Sequence, residues 1–136
     1  MVFDQTFGNN SSVSFINTNV LRTGSAYDAN VSSALFNLNN KKNTYNFSGK
    51  LALSFFNGNE IEKDRKMGYS QSLSIGRTSG KINWNIYHEL VDDKFNSNDL
   101  GYFTNNNYMD HGIWVGTRWM KPTKIYNQLR LNLNVF

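Results

Sequence analysis

Two adjacent residue pairs and one loop hold the side chains that could do chemistry. Asp110-His111 joins a carboxylate to an imidazole, the combination used in general-base catalysis. His88-Glu89 repeats that combination in reverse order. Asp92, Asp93, Asn96, Asn98 and Asp99, closed by Gly101, form an oxygen-rich stretch of the kind calcium favours. Phe95, Tyr102 and Phe103 lie among them and offer flat rings for stacking on sugars. Each feature also has a plainer reading. Neighbours on a regular strand point to opposite faces, so neither imidazole meets its adjacent carboxylate. Glu89 is expected instead to join an ion pair with Lys50 or Arg130 on a wet face. Two histidines are too few to specify a metal centre. The acidic loop departs from the EF-hand spacing and reads as a solvated loop. Its residues Asp92, Asp93, Phe95, Asp99, Tyr102 and Phe103 are candidate extracellular-loop contacts. No catalytic residue, no metal ligand and no cofactor site is predicted.

These residues are positioned by strands. Side chains alternate in character with a period of two, and the pattern predicts eight strands: Val2 to Phe7, Ser11 to Arg22, Asp28 to Leu38, Thr44 to Phe56, Gly68 to Thr78, Lys81 to Val91, Tyr108 to Trp119 and Ile125 to Phe136. The fourth is the clearest. Tyr45, Phe47, Leu51, Leu53 and Phe55 share one face, and Asn46, Ser48, Lys50, Ala52 and Ser54 share the other. A helix would mix these sets, whereas a strand separates them. The second, third and seventh strands are less tidy, with Ile16 and Val20 opposite Val13 and Phe15 in the second, and Trp114 opposite Ile113 and Val115 in the seventh.

The predicted links alternate between short and long, with Ser79-Gly80 tight, 92–107 long and 120–124 short around Pro122. In an antiparallel meander this gathers tight turns at one end and long loops at the other. Transmembrane β-barrels have that form, with strands of about 9 to 11 residues crossing at a tilt. The fold expected is therefore all-β: an antiparallel up-and-down meander of about eight strands, forming a section of a transmembrane barrel or a small barrel. Its apolar rows would face lipid, with Tyr69, Trp84, Trp119 and Tyr126 as girdle residues at the headgroup level.

Composition narrows the alternatives. Hydrophobic residues make up 39% of the chain, low for a buried core, while aromatics reach 15%, too many for disorder. The absence of cysteine removes disulfide frameworks, thiolate metal sites and cysteine nucleophiles. The formal charge of +4 is scattered over links such as Lys41-Lys42 and Lys121 to Lys124, so no nucleic-acid footprint forms. No apolar run approaches the length of a membrane helix. Met1-Val2-Phe3-Asp4 carries no export signal, which favours a section of a larger exported protein.

Several segments resemble a large bacterial outer-membrane family. They are Ser14-Phe15-Ile16-Asn17-Thr18-Asn19-Val20-Leu21-Arg22, Tyr27-Asp28-Ala29-Asn30-Val31, Glu89-Leu90-Val91-Asp92-Asp93-Lys94-Phe95 and Asn98-Asp99-Leu100-Gly101-Tyr102. Members of that family resemble a two-part protein, with an N-terminal domain like the family 9 carbohydrate-binding fold and a C-terminal β-barrel. The resemblance covers nearly the whole chain and is to a middle portion of that barrel. It implies an outer-membrane location, lipid and the parent's remaining strands as partners, and a link to surface glycans. It assigns no chemical role to any residue. A soluble β-sandwich glycan-binding module and an outer-membrane hydrolase are the alternatives.

Overall fold

The computed structural model describes residues 1–8, 10–24, 27–58, 67–97 and 105–136. They form eight strands: β1 (Val2–Phe7), β2 (Ser11–Val20), β3 (Asp28–Asn39), β4 (Tyr45–Asn57), β5 (Met67–Arg77), β6 (Ile82–Val91), β7 (Tyr108–Trp119) and β8 (Leu129–Val135). All lie in one open sheet in chain order, each antiparallel to its neighbour. The all-β, up-and-down meander expected from alternation is the observed architecture. β2 to β7 run 10 to 13 residues, well beyond the usual soluble strand of about 5 to 6. A sandwich needs a second sheet against the apolar face, and the described strands supply none.

The last link corrects the sequence reading. β8 begins at Leu129 rather than Ile125, because Thr123 builds a turn. Its N–H donates to the Tyr126 carbonyl at 2.7 Å, and its Oγ1 accepts the N–H groups of Ile125 and Tyr126 at 3.3 Å each. A threonine hydroxyl that engages local backbone in this way competes with ladder formation. Tyr126 therefore sits in a turn, off the sheet. Short and long links alternate through the first six, and the seventh, 120–128, is not short. The end of the sheet holding 21–27, 58–66 and 92–107 is called the loop end, and the opposite end the turn end.

Register assigns faces, since paired residues share one. On one face lie Phe47 with Ile75, Leu51 with Gln71, Leu53 with Tyr69, Ile86 with Ile113 and Val115 with Leu133. The other face carries Ser48 with Ser74, Lys50 with Ser72 and Glu89 with Asp110. The apolar row is the exposed one: Leu51 and Ile75 are each 47% exposed, while Ala52 and Ser54 between the exposed positions of β4 are buried. A flat sheet would expose both faces alike, so this sheet curls with its polar face inward. The curl brings Ser12 and Ser14 of β2 and Tyr87 and Glu89 of β6 around one cavity of about 540 Å³. In a flat sheet those two strands would stand about 19 Å apart.

One corner inverts this pattern. At the loop end of β2 and β3 the outer face holds Asn17, Asn19, Asn30 and Ser32, while Val20, Ala29, Val31 and Phe56 line the inner face. The outer four form a closed ring. Asn17 donates to Ser32 at 2.7 Å, Ser32 to Asn30 at 3.2 Å, Asn30 to Asn19, and Asn19 back to Asn17 at 2.9 Å. The packed core lies at the same end, where Ala52, Val91 and Phe95 cluster against Tyr108.

Candidate functional site

The concave face is built in rows. Ser14, Leu35, Lys50, Ser72, Glu89 and Asp110 occupy one row through successive pairings, and Ser12, Asn37, Ser48, Ser74, Tyr87 and Gly112 the next. Alternation delivers them, because every second residue of β2 to β7 must point this way. Ser74 donates to Asn85 Oδ1 at 2.7 Å, and the Tyr87 hydroxyl donates to Asp110 Oδ2 at 3.2 Å. Gly112 faces Tyr87, and a Cβ there would strike its ring, so the glycine lets the phenol lie across β7 and reach Asp110. The result is a surface of hydroxyls and amides with one ammonium and two carboxylates, suited to water and hydroxyl-rich solutes.

The ion pair expected for Glu89 is not formed among the described residues. Lys50 and Glu89 share a row but stand two strands apart, with Ser72 between them. Arg130 lies near the turn end, directly opposite Arg118. Those two guanidinium groups share a cavity of about 270 Å³ with Asn83, Trp114 and Asn132, and no carboxylate lines it. The Asn83 Oδ1 atom is buried there without a hydrogen-bond partner.

At the loop end the first residues after β6, 92–96, fold into the concavity. Asp92 donates its N–H to the Tyr69 carbonyl at 3.0 Å, and the Phe95 N–H returns to the Asp92 carbonyl at 3.1 Å. That turn drives the Phe95 ring inward until it is 6% exposed against Ala52 and Val91. The sheet accepts it because the residues beneath are small. A Cβ on Gly68 would collide with the Lys94–Phe95 backbone. Ser54, fully buried, accepts the Asn96 N–H at 3.2 Å and donates to the Gly68 carbonyl at 3.5 Å. Asn106 ties the far side of the link to the Asp93 carbonyl at 2.7 Å.

This arrangement sorts the candidate loop contacts. Phe95, expected as a stacking surface, is instead the anchor of the inward fold. Asp92 is half-buried and engaged through its backbone, whereas Asp93 is exposed. Asp99, Tyr102 and Phe103 lie outside the described residues, as do Asn98 and Gly101 of the oxygen-rich stretch. Asp110 and His111 point to opposite faces, as do His88 and Glu89, so neither acid–imidazole pair assembles.

Sequence reasoning missed what register does with the histidines. His88 and His111 are direct partners across β6 and β7, on the apolar face. Their Nδ1 atoms are 3.2 Å apart, and their rings stack with centroids 4.7 Å apart. The signal was available: pairing Val91 with Tyr108 at the base of the link fixes every later partner, His88 with His111 included.

A family model described as "Domain of unknown function (DUF5916)" matches residues 1–136. The chain belongs to the DUF5916 family. No curated protein and no solved structure matches it. What the DUF5916 chain presents chemically is thus read from its own geometry. It has a curled sheet, largely apolar outside and hydrogen-bonding inside, with Phe95 folded into the hollow.

Proposed function

We propose that this DUF5916 chain is a wall segment of a bacterial outer-membrane β-barrel, with its polar concave face toward a hydrated lumen and its convex face toward lipid. One observation carries the reading: the apolar side of the sheet is its outer, uncovered side. A soluble protein loses about 25 cal/mol for each Å² of apolar surface it leaves in water, and therefore buries such a face. Here Phe47, Leu51, Leu73, Ile75, Ile86, Ile113 and Leu133 all stay exposed while serines and asparagines take the recessed positions. A bilayer reverses the preference, since acyl chains accept aliphatic side chains and reject amides. Strand length supports the same reading, because 10 to 13 residues span a tilted crossing. Phe95, packed inward against Ala52 and Val91, would narrow the lumen near the loop end. The association with surface glycans rests on the segment resemblance, and the hydroxyl- and amide-rich inner rows suit it. The hydrolase alternative loses its proposed base, because Asp110 and His111 are on opposite faces.

Tryptophan quenching by lipids with brominated acyl chains tests the orientation. Trp84 and Trp119 lie on the convex face and Trp114 on the concave face. In single-tryptophan variants reconstituted into such vesicles, Trp84 and Trp119 should be quenched and Trp114 spared. Equal quenching of all three, or none, overturns the proposal.

A further inference from the structure

We propose that the concave face at the turn end binds an acidic sugar, a hydroxyl-bearing ring with a carboxylate. Arg118 and Arg130 hold the carboxylate, Trp114 lies against the ring and Asn83 accepts from a hydroxyl group. The site stands on the curled sheet itself, and rests on the wall reading only for the lumen through which a solute arrives. Arg118 and Arg130 are direct cross-strand partners on β7 and β8. Like charges placed opposite each other work against pairing. Among the described residues no acid relieves them: they share a cavity of about 270 Å³ with Asn83, Trp114 and Asn132, and no carboxylate lines it. A carboxylate seated between them removes the repulsion and takes a charge-assisted hydrogen bond from each planar guanidinium group. Binding thus gives the pair a use that folding does not.

The cavity asks for more than charge. A Cβ on Gly116 would strike the Trp114 ring, so the indole lies across β7 over that glycine, with Asn132 Oδ1 beside it. The residue is half-buried: one side of the ring rests on the sheet and the other is turned to the hollow. The C–H bonds of a sugar ring carry slight positive charge and suit the negative face of an indole. Trp114 and Asn83 also line an adjoining cavity of about 260 Å³ with Asn46 and Asn85, so amides continue beyond the ring. Asn83 Oδ1 is buried without a hydrogen-bond partner. It is an acceptor, and a fully ionised oxyanion brings only acceptors, so a bare anion leaves it unsatisfied. A hydroxyl group on the same ligand supplies the missing donor. The arginines call for an anion, the asparagine for an O–H and the indole for a ring, and an acidic sugar carries all three.

The charge layout of the sheet directs anions to the same end. Cations scattered along the sequence are gathered by the meander. Lys81, Arg118, Lys121, Lys124 and Arg130 lie in or beside the turn-end links of β5 to β8, and residues 77–84 and 118–130 contain no carboxylate. Glu89 and Asp110, the paired acids of the concave face, belong to the other end. Glu89 is six residues from Asn83 along β6, a distance of about 20 Å. That is well beyond the screening length of about 8 Å in physiological salt, so those carboxylates do not neutralise the arginine pair. A cleft lined by one sign of charge concentrates ligands of the opposite sign.

The experiment is a titration of D-glucuronate into the purified protein in detergent at constant ionic strength, with D-glucose and sodium sulfate as controls. Calorimetry follows the wild type, and fluorescence follows Trp114 in the double variant Trp84→Phe, Trp119→Phe. Glucuronate should bind at least tenfold more tightly than either control and change the Trp114 emission. Arg118→Gln and Arg130→Gln should each weaken binding at least tenfold. Both substitutions relieve charge repulsion, so the sheet should fold at least as well as the wild type. Glucuronate bound no more tightly than glucose, or no more tightly than sulfate, overturns the proposal in the wild type alone. Unchanged affinity in both arginine variants also overturns it. The wall reading fails by a different signal, quenching of Trp114 by brominated lipid, which needs no sugar.

Discussion

The middle of β4 to β7 and the loop-end corner of β2 and β3 solve the same problem with opposite polarity. In the first region the outer side chains are Leu51, Leu73, Ile86 and Ile113, and the inner ones are serines, Tyr87 and charged groups. In the second the outer side chains are asparagines and a serine, and the inner ones are Val20, Ala29, Val31 and Phe56. Both are regular antiparallel pairings with period-two alternation. The difference shows that alternation fixes how side chains divide between two faces, and not which face becomes the core. The medium beyond each face decides that. On the proposed reading the change of polarity between Phe15 and Asn17 along β2 marks where acyl chains give way to water and headgroups.

The sharpest way to break that comparison is to place one charge in both regions. Leu51→Arg should cost up to about 4 kcal/mol in urea titrations of the protein folded into vesicles, against about 0–1 kcal/mol for Asn17→Arg. Equal costs would erase the distinction between the two outer faces. Phe95→Ala should remove about 3 kcal/mol by emptying the pocket formed with Ala52 and Val91, followed by the same titration. A loss below about 0.5 kcal/mol would mean that the inner apolar corner is not a working core. Gly68→Ala should cost about 1–3 kcal/mol, because the new methyl group meets the Lys94–Phe95 backbone. Combined with Phe95→Ala it should add little, since the loosened link no longer presses on the sheet. The smallest effect belongs to the concave face near the turn end. Arg130→Glu replaces a like-charged cross-strand pair with an opposite one opposite Arg118, and should stabilise by about 0.2–1 kcal/mol, more at low salt than at high.

How much of this was legible in the sequence differs by element. Strands β4 to β7 were readable to within a residue, because long runs such as Tyr45 to Phe55 alternate cleanly. β8 was overextended at its start because Ile125 falls on the same alternate row as Leu129, Leu131 and Leu133, and only the Thr123 hydroxyl bonds reveal a turn. The inward fold of the β6–β7 link was not legible from the link, which has no periodicity. The shelf beneath it was visible in principle as Ala52, Ser54, Gly68 and Ser70, a group of small side chains on the inner face. The curl, which gives those residues a common hollow, is a property of many strands together. The histidine pair followed from the register once a single partnership was fixed. Motif reading looked instead at sequence neighbours, whose side chains a strand always separates.

The asparagine–serine ring on the outer surface has a further consequence. Each of its four members gives one hydrogen bond forward and receives one from behind, so the group dipoles run head to tail around a circle and largely cancel. Four polar groups arranged this way present far less net polarity than four separate amides. On the proposed reading, such a circle lowers the cost of brief immersion relative to four separate amides, so the wall could ride up or down by a few ångströms as bilayer thickness varies.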